Sequence, residues 1–279
     1  MNPILLFFLV LMAAGAACLF YGFFLEPRWI RVREVFIRAG HQEIRGKTFL
    51  YFSDLHTGTS TTKRKLDRQM RAIMKIKPDA IFFGGDLVEE KTPLPDSNFQ
   101  NMVIHALSSL EAPLGKWAIY GNHDVEAPRF RTWVTGVLES SGFTLLENEG
   151  IRLAGLPVWG FANTHHGEPC LDLQAFSQLL DQSGENPCPL FLVHESDWFP
   201  RAMPWKGKGL VIAGHSHYGQ VTLFGLPLIR PAGAKKYWRG RYQLGQNLTM
   251  LVSAGLGTVH IHARFFARPD LLLLRFGKE

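Results

Sequence analysis

The chain has 279 residues, 46% of them apolar, a mean hydropathy near zero and a formal net charge of +6. That length suits one large domain or two small ones, and the apolar content excludes a disordered chain. The cations form no long block, so a nucleic-acid arm is not expected; an anionic membrane surface or an anionic substrate accounts for the charge.

From Pro3 to Leu25 the chain carries no charged residue. A run of this length can cross a ~30 Å hydrocarbon layer as a helix. No Lys or Arg precedes it, and Phe20, Tyr21, Phe23 and Phe24 close it, where a cleaved signal would end in small residues. The expectation is a retained single-pass anchor. Arg28, Arg31, Arg33 and Arg38 follow it, which puts the rest of the chain on the cytoplasmic side. Ala13 and Ala17 have small-xxx-small spacing, too weak a signal to set an oligomeric state. The resulting division is an anchor over 3–25, a juxtamembrane segment over 26–45 and a main domain over 46–279.

The main domain alternates short apolar runs with amphipathic ones. Strands are expected at Thr48–Phe52, Ala80–Phe83, Trp117–Tyr120, Phe143–Leu146, Gly150–Leu153 and Val158–Phe161, then at Leu190–Val193, Leu210–Ala213, Leu248–Ser253 and Leu271–Phe276. Helices are expected at Lys63–Ile76, Phe99–Leu110, Phe130–Ser140 and Leu173–Leu180. This order argues for a layered α/β architecture. Cys18, Cys170 and Cys188 have no regular spacing and read as ordinary reduced cysteines.

Five of these strands end in polar residues at their C-terminal edge, where open α/β sheets bind ligands. Asp54 and His56 follow the first, Asp86 the second, and Asn122, His123 and Asp124 the third. His194 follows LFLV, and His215 and His217 follow LVIA and Gly214. Asp54, His56, Asp86, Asn122, His194, His215 and His217 make seven donors, too many for one zinc ion and suited to two ions sharing a carboxylate. Mixed imidazole and oxygen donors favour Mn, Fe or Zn over Mg or Ca. A pair of such ions clamps a phosphoryl oxygen and activates a bridging hydroxide.

The series SDLH, GGD, GNHD, VHESD and GHSHYGQ resembles the calcineurin-like metallophosphoesterase family from about residue 46 onward. The later segments KYWRGRYQLGQ, SAGLGT and RFFARPDLLLL are similar to its membrane-associated bacterial branch. The resemblance implies a four-layer α-β-β-α sandwich behind the single N-terminal helix. It implies two divalent transition-metal ions, manganese among the candidates. Asp54, His56 and His217 would hold one ion and Asn122, His194 and His215 the other, with Asp86 bridging. His123 would orient the phosphate and protonate the leaving oxygen, and Asp124 would set the His123 tautomer through a hydrogen bond. Ser196, Tyr218 and Ala254 depart from the family pattern, and the last two are expected to alter the substrate rim.

The function implied is hydrolysis of a phosphodiester or pyrophosphate bond by a hydrolase of the inner (cell) membrane, acting on a phosphate-containing lipid or nucleotide. A concrete candidate is the pyrophosphatase step on UDP-2,3-diacylglucosamine. A nuclease or cyclic-nucleotide phosphodiesterase, or a non-catalytic scaffold keeping the metal fold, are the alternatives. The segment Trp198 to Lys206 is read as a loop packing its own aromatics or as a lipid-facing lip between Trp198 and Trp205. His165-His166, His260 and His262 read as surface or packing histidines, and His41 and His105 have no partners at ligand spacing.

Overall fold

The computed structural model describes residues 1–39, 42–183, 188–203, 205 and 207–277. His41, Pro204 and Lys206 lie outside the described residues. The first element is α1 (Pro3–Phe20), started by Asn2, whose side-chain oxygen accepts the Ile4 N–H at 3.0 Å. A π-helical turn (Tyr21–Leu25) and a 3₁₀ turn (Glu26–Arg28) extend it, and no residue of α1 is buried. Apolar on every side and solvent-facing all round, it is long and apolar enough to cross a membrane.

The chain then forms β1 (Arg31–Arg38), β2 (Thr48–Phe52), α2 (Lys63–Met74), β3 (Ala80–Phe83), α3 (Ser97–Ser108), β4 (Lys116–Ala118), α4 (Pro128–Ser140) and β5 (Thr144–Leu145). Next come β6 (Glu149–Leu153), β7 (Leu156–Gly160), α5 (Leu173–Asp181), β8 (Leu190–Val193), α6 (Phe199–Ala202) and β9 (Gly209–Ala213). A small hairpin, β10 (Thr222–Leu223) and β11 (Leu226–Pro227), precedes β12 (Gly240–Gln243), β13 (Leu248–Val252) and β14 (Asp270–Gly277).

Two six-stranded mixed sheets result. The first has the order β1-β14-β2-β3-β4-β5 and the second β12-β13-β9-β8-β7-β6. Along β2, Phe49 and Tyr51 point between the sheets, toward Val158, Leu192 and Ile212, while Leu50 and Phe52 point outward under the helices. Both faces of the strand are covered, which is why TFLYF reads as an unbroken apolar run. Leu66, Met70 and Ile73 of α2, Val103 of α3 and Val137 of α4 cover the first sheet. Phe176 of α5 and Phe199 of α6 cover the second. The architecture is the expected helix–sheet–sheet–helix sandwich behind one apolar helix.

The differences from the sequence reading have local causes. Asp96 accepts the N–H groups of Asn98 and Phe99, so α3 starts two residues before the first large apolar side chain. The 26–45 stretch, expected to be a link, contains β1, which pairs in parallel with β14 along its whole length. Its cations were read as flanking charge; in the structure Arg31 and Arg38 lie on the solvent side of an edge strand, a common place for charge. Arg33 points inward, 2.8 Å from Asp270 and donating to the Val252 carbonyl at 2.7 Å.

The end of the apolar helix is fastened to the sandwich. Buried Glu26 accepts the backbone N–H groups of Phe266 and Ala267, and the Arg264 N–H donates to the Gly22 carbonyl at 2.9 Å. The Arg264 guanidinium is itself fully buried and donates to the carbonyls of Ala254, Gly257 and Ala267. Charge-assisted bonds of this kind stiffen a loop that has no regular ladder.

Candidate metal centre

The seven expected donors converge where the two sheets meet. The first sheet brings Asp54 and His56 after β2, Asp86 after β3 and Asn122 after β4; the second brings His194 after β8 and His215 and His217 after β9. Close backbone approach makes this possible. A Cβ on Gly85, at φ +89°, would lie 2.3 Å from the Gly121 nitrogen, and one on Gly121 would lie 2.1 Å from Asp86 Oδ1. Asp54, His56, Asp86, His215 and His217 all hold left-handed backbone, φ between 44° and 66°. Non-glycine residues rarely adopt it, and such strain gathers at functional sites.

The donor atoms fall into two adjoining groups. Asp54, His56 and His217 form one, with His56 Nε2 3.0 Å from His217 Nε2 and His217 Nε2 3.5 Å from Asp54 Oδ1. Asp86, His194 and His215 form the other. Asp86 Oδ2 stands between them, 3.6 Å from His56 Nε2 and 3.1 Å from His194 Nε2. Among the described residues, buried Asn122 Oδ1 has no hydrogen-bond partner, and buried His194 Nε2 has only the Asp86 carboxylate beside it. Buried polar atoms are rarely left so.

On three of the four rings one nitrogen is taken up by a backbone carbonyl, while His217 Nδ1 faces the Arg264 guanidinium at 3.5 Å. His56 Nδ1 donates to the Val88 carbonyl, His194 Nδ1 to Gly84 at 2.8 Å, and His215 Nε2 to Ala232 at 2.7 Å. A carbonyl on one nitrogen fixes the tautomer and turns the other nitrogen's lone pair inward. Burial holds His56 down to about 3 and His215 to about 4, and pushes His217 well below the usual histidine range. Neutral rings are what metal ligation needs. Burial opposes charge on His194 too, but Asp86 beside it holds its proton affinity high, and His194 keeps Asp86 ionised. These clustered N and O donors, with Asn122 Oδ1 left without a hydrogen-bond partner among the described residues, fit divalent ions.

Two expected roles change. Asp124 does not touch His123. Its carboxylate accepts the N–H groups of Asp86, Leu87 and Gly121 at 2.7, 2.7 and 2.9 Å, and so locks the β3 and β4 turns together. The carboxylate beside the His123 ring is Glu126, with Oε2 3.4 Å from Nδ1. The His123 backbone N–H donates to Asp86 Oδ1 at 2.9 Å, its ring lies edge-on to His56, and one of its ring nitrogens lies within 4.8 Å of ligand atoms of His56 and Asp86. Tyr218 and Ala254 are not at the rim. Tyr218 is buried, donates to the Val252 carbonyl at 3.0 Å and lies under Arg33; Ala254 is wholly buried.

Beside the donors is a cavity of about 560 Å³. Asp86, Asn122, His123 and His215 form its polar end, and Leu228, Ile229, Val259 and Ile261 an apolar wall. Two histidines read as surface or packing residues also border it. His165 donates from Nδ1 to buried Glu195 at 3.0 Å, its ring 5.7 Å from His215; His260 sits on the 259–261 turn. Gln220 holds that turn, accepting from the Val259 N–H and donating to the carbonyls of Val259 and Ile261. Gln220 was visible in GHSHYGQ, but nothing in the sequence told what it would grip.

The aromatic segment after His194 is not a lip. The Trp198 ring packs tilted against Phe161 at 5.3 Å and Trp205 edge-on against Phe176 at 5.4 Å, and both pack against the core on the outer face of the second sheet.

A family model described as calcineurin-like phosphoesterase matches residues 47–237. The chain is 30% identical over 260 residues to an uncharacterized metallophosphoesterase, YkuE, of Bacillus subtilis, covering 90% of this chain and 87% of that one. It is 28% identical to the phosphodiesterase YaeI of Escherichia coli over 263 residues, 91% of each chain. A shorter match, 35% over 103 residues, covers 36% of this chain and 30% of the UDP-2,3-diacylglucosamine pyrophosphatase LpxG of Chlamydia trachomatis. With the fold and the donor geometry, these likenesses show that the chain belongs to the calcineurin-like phosphoesterase family and is a metal-dependent phosphoric ester hydrolase.

Proposed function

We propose that the protein hydrolyses a phosphodiester or pyrophosphate bond in a lipid-linked substrate at the membrane crossed by α1. The observation that carries this reading is the asymmetry of the cavity, polar at Asp86 and His123 and apolar at Leu228, Ile229, Val259 and Ile261. The apolar wall runs out onto exposed Leu223, Phe224 and Leu226 of the β10–β11 hairpin. Phe224 meets Phe266 at 6.3 Å, and the Phe265 ring meets Tyr21 at the end of the apolar helix at 5.7 Å. A continuous apolar path thus links the span to the candidate centre, and large exposed apolar patches mark membrane or partner contact.

Asp54, His56 and His217 would hold one divalent ion, Asn122, His194 and His215 the second, and Asp86 both. Bound there, the ions would supply Lewis acidity toward phosphoryl oxygens and lower the pKa of a water nucleophile. His123 reaches the same space from the β4 turn, where its ring donates to a phosphoryl oxygen and hands a proton to the departing oxygen. Asp124 keeps Asp86 and the β4 turn in register. The apolar wall accepts an acyl chain while the phosphate lies over the donors. UDP-2,3-diacylglucosamine is the candidate substrate, supported by the partial likeness to LpxG and by the apolar wall. The anchor over 3–25 would lie in the bacterial inner membrane, with the catalytic domain on the cytoplasmic side, the side favoured by the cations that follow the span.

The test is turnover by purified full-length protein, stripped of metal and reloaded with Mn or Zn. A bis-aryl phosphodiester, a phosphomonoester and UDP-2,3-diacylglucosamine in micelles would be offered beside Asp86→Ala. Control-sensitive cleavage of the lipid nucleotide is the expected result. Cleavage of the simple diester alone would move the search to other membrane phosphates.

A further inference from the structure

A second cavity, of about 600 Å³, opens on the other side of the 258–262 turn and is basic. Arg64, Lys65, Arg68 and Arg71 of α2 line it together with Arg28 from the end of the apolar helix and His262. Arg64, Arg68 and Arg71 follow an i, i+4, i+7 course and so share one helical stripe. Like charges at that spacing repel, and cations in the first turn of a helix oppose its dipole. The fold therefore keeps an arrangement that costs stability in the absence of an anion.

Carboxylates offset it only in part: Asp67 pairs with Lys63 at 2.8 Å and also acts on Arg71, and Glu89 acts on Lys65. Burial lowers the proton affinity of Arg68, and the neighbouring Arg28, Arg64 and Arg71 lower it further. Arg68 Nε and Ser60 Oγ are buried atoms with no hydrogen-bond partner among the described residues, and Ser60 lines the same cavity. Guanidinium groups fork onto phosphate oxygens, and an unpaired buried donor is the group such an oxygen satisfies.

The cavity's position identifies the source of the phosphate. Phe23, Pro27 and Arg28, where the apolar helix ends, form part of its wall. A helix that crosses a bilayer ends at headgroup depth, and basic clusters beside a span recognise anionic headgroups. Resting on the reading of α1 as a membrane anchor, we propose that this cleft binds the phosphate headgroup of an anionic phospholipid in the leaflet next to the catalytic domain. The bound lipid neutralises the α2 stripe and fixes the domain's orientation, so that the apolar side of the catalytic cavity faces the membrane.

The test uses full-length protein in neutral detergent with equimolar phosphatidylglycerol and phosphatidylcholine, the retained lipid being read by native mass spectrometry. Wild type should retain phosphatidylglycerol at least tenfold over phosphatidylcholine. The variant Arg64→Gln, Arg68→Gln, Arg71→Gln should fall to near parity. A control losing the same charge elsewhere, Arg45→Gln, Lys75→Gln, Lys77→Gln, should keep the preference. Arg68→Gln alone should give an intermediate ratio and guards against a triple variant that misfolds. Parity in wild type, or equal loss in the control, overturns the cleft; binding of inorganic phosphate alone as tightly as the lipid overturns the headgroup as the source. The Asp86→Ala protein should keep the lipid preference while losing turnover. Wild type that selects lipid yet cleaves none of the phosphate substrates would defeat the proposed function and leave the cleft standing.

Discussion

Two apolar stretches each follow a site histidine and end in opposite surroundings. Trp198 and Phe199, after His194, turn back onto Phe161 and Phe191, and Phe199 is 1% exposed. Phe224, Leu228 and Ile229, after His217, are 86%, 67% and 77% exposed. From the sequence only the first reads as a candidate membrane lip. The difference lies in what is available to cover them. The first falls on the outer face of a six-stranded sheet that needs a lid beside α5. The second leaves the sheets in a two-residue hairpin, tied down by the Thr222 N–H to the Phe265 carbonyl at 3.0 Å, and its Leu223, Phe224 and Leu226 side chains stay exposed. Apolar residues left outside in this way, next to the end of an apolar helix, point to the membrane rather than the core.

This contrast can be broken experimentally, and the largest effects set its baseline. Asp86→Ala should remove a donor common to both groups and lower turnover by roughly 10³-fold or more on soluble and lipid substrates alike, with metal content falling in parallel. Equal metal content in variant and wild type would contradict the shared position of Asp86. His123→Ala should leave metal content unchanged and cost about 10²-fold in kcat, as expected for loss of a general acid. Wild-type kcat on the natural substrate would remove His123 from the mechanism.

Next come the two apolar stretches themselves. Trp198→Ala should cost about 2 kcal/mol of stability, below the range for a fully buried tryptophan because this one is only partly covered. It should lower the Tm and leave the ratio of lipid to soluble turnover as it was. Leu228→Ser with Ile229→Ser should do the reverse, leaving Tm and diester hydrolysis intact and slowing lipid hydrolysis about tenfold, the worth of roughly two buried methylene groups. If the tryptophan variant changed the ratio and the hairpin variant did not, the assignment of the two stretches would be exchanged.

The smallest expected effect is a pH dependence beside the cavity. The hydrogen bond to Glu195 raises His165 above its ordinary 6.5, so its stabilisation is complete below that value and fades as pH rises through the raised one. Burial works against ionised Glu195, but the bond from His165 brings it below 4.5, so its share is complete above that value and fades in stronger acid. His165→Ala should therefore lose more stability relative to wild type at pH 5.5 than at pH 8.5. With His165 largely solvent-facing, the difference is held to about 1 kcal/mol or less. A constant gap across that range would mean the pair carries no charge.

How far the sequence could be read differs from residue to residue. Asp54, His56, Asp86, Asn122, His194, His215 and His217 were legible because each follows an apolar run and strand ends of parallel sheets share one edge. The left-handed backbone of five of them was not, since glycine alone announces φ > 0 in a sequence. The family resemblance implied Asp124 as a partner of His123; three backbone N–H groups from two turns hold its carboxylate instead, a pairing only the packed turns create. His165 and His260 have no ligand spacing, and the folding of distant loops over the donors put them at the cavity. β1 was hidden because alternating charge along an edge strand looks like flanking charge beside a span.

The sequence by itself determined the apolar helix, the alternation of strand and helix and the donor residues at strand ends, because these depend on local periodicity and residue chemistry. Tertiary structure decided which apolar stretch is core and which faces outward, which carboxylate supports which turn, and that the basic stripe of α2 meets the end of the apolar helix. Those outcomes rest on long-range pairing, β1 on β14 and Glu26 on the 266–267 backbone, and no local pattern encodes the distance between such partners.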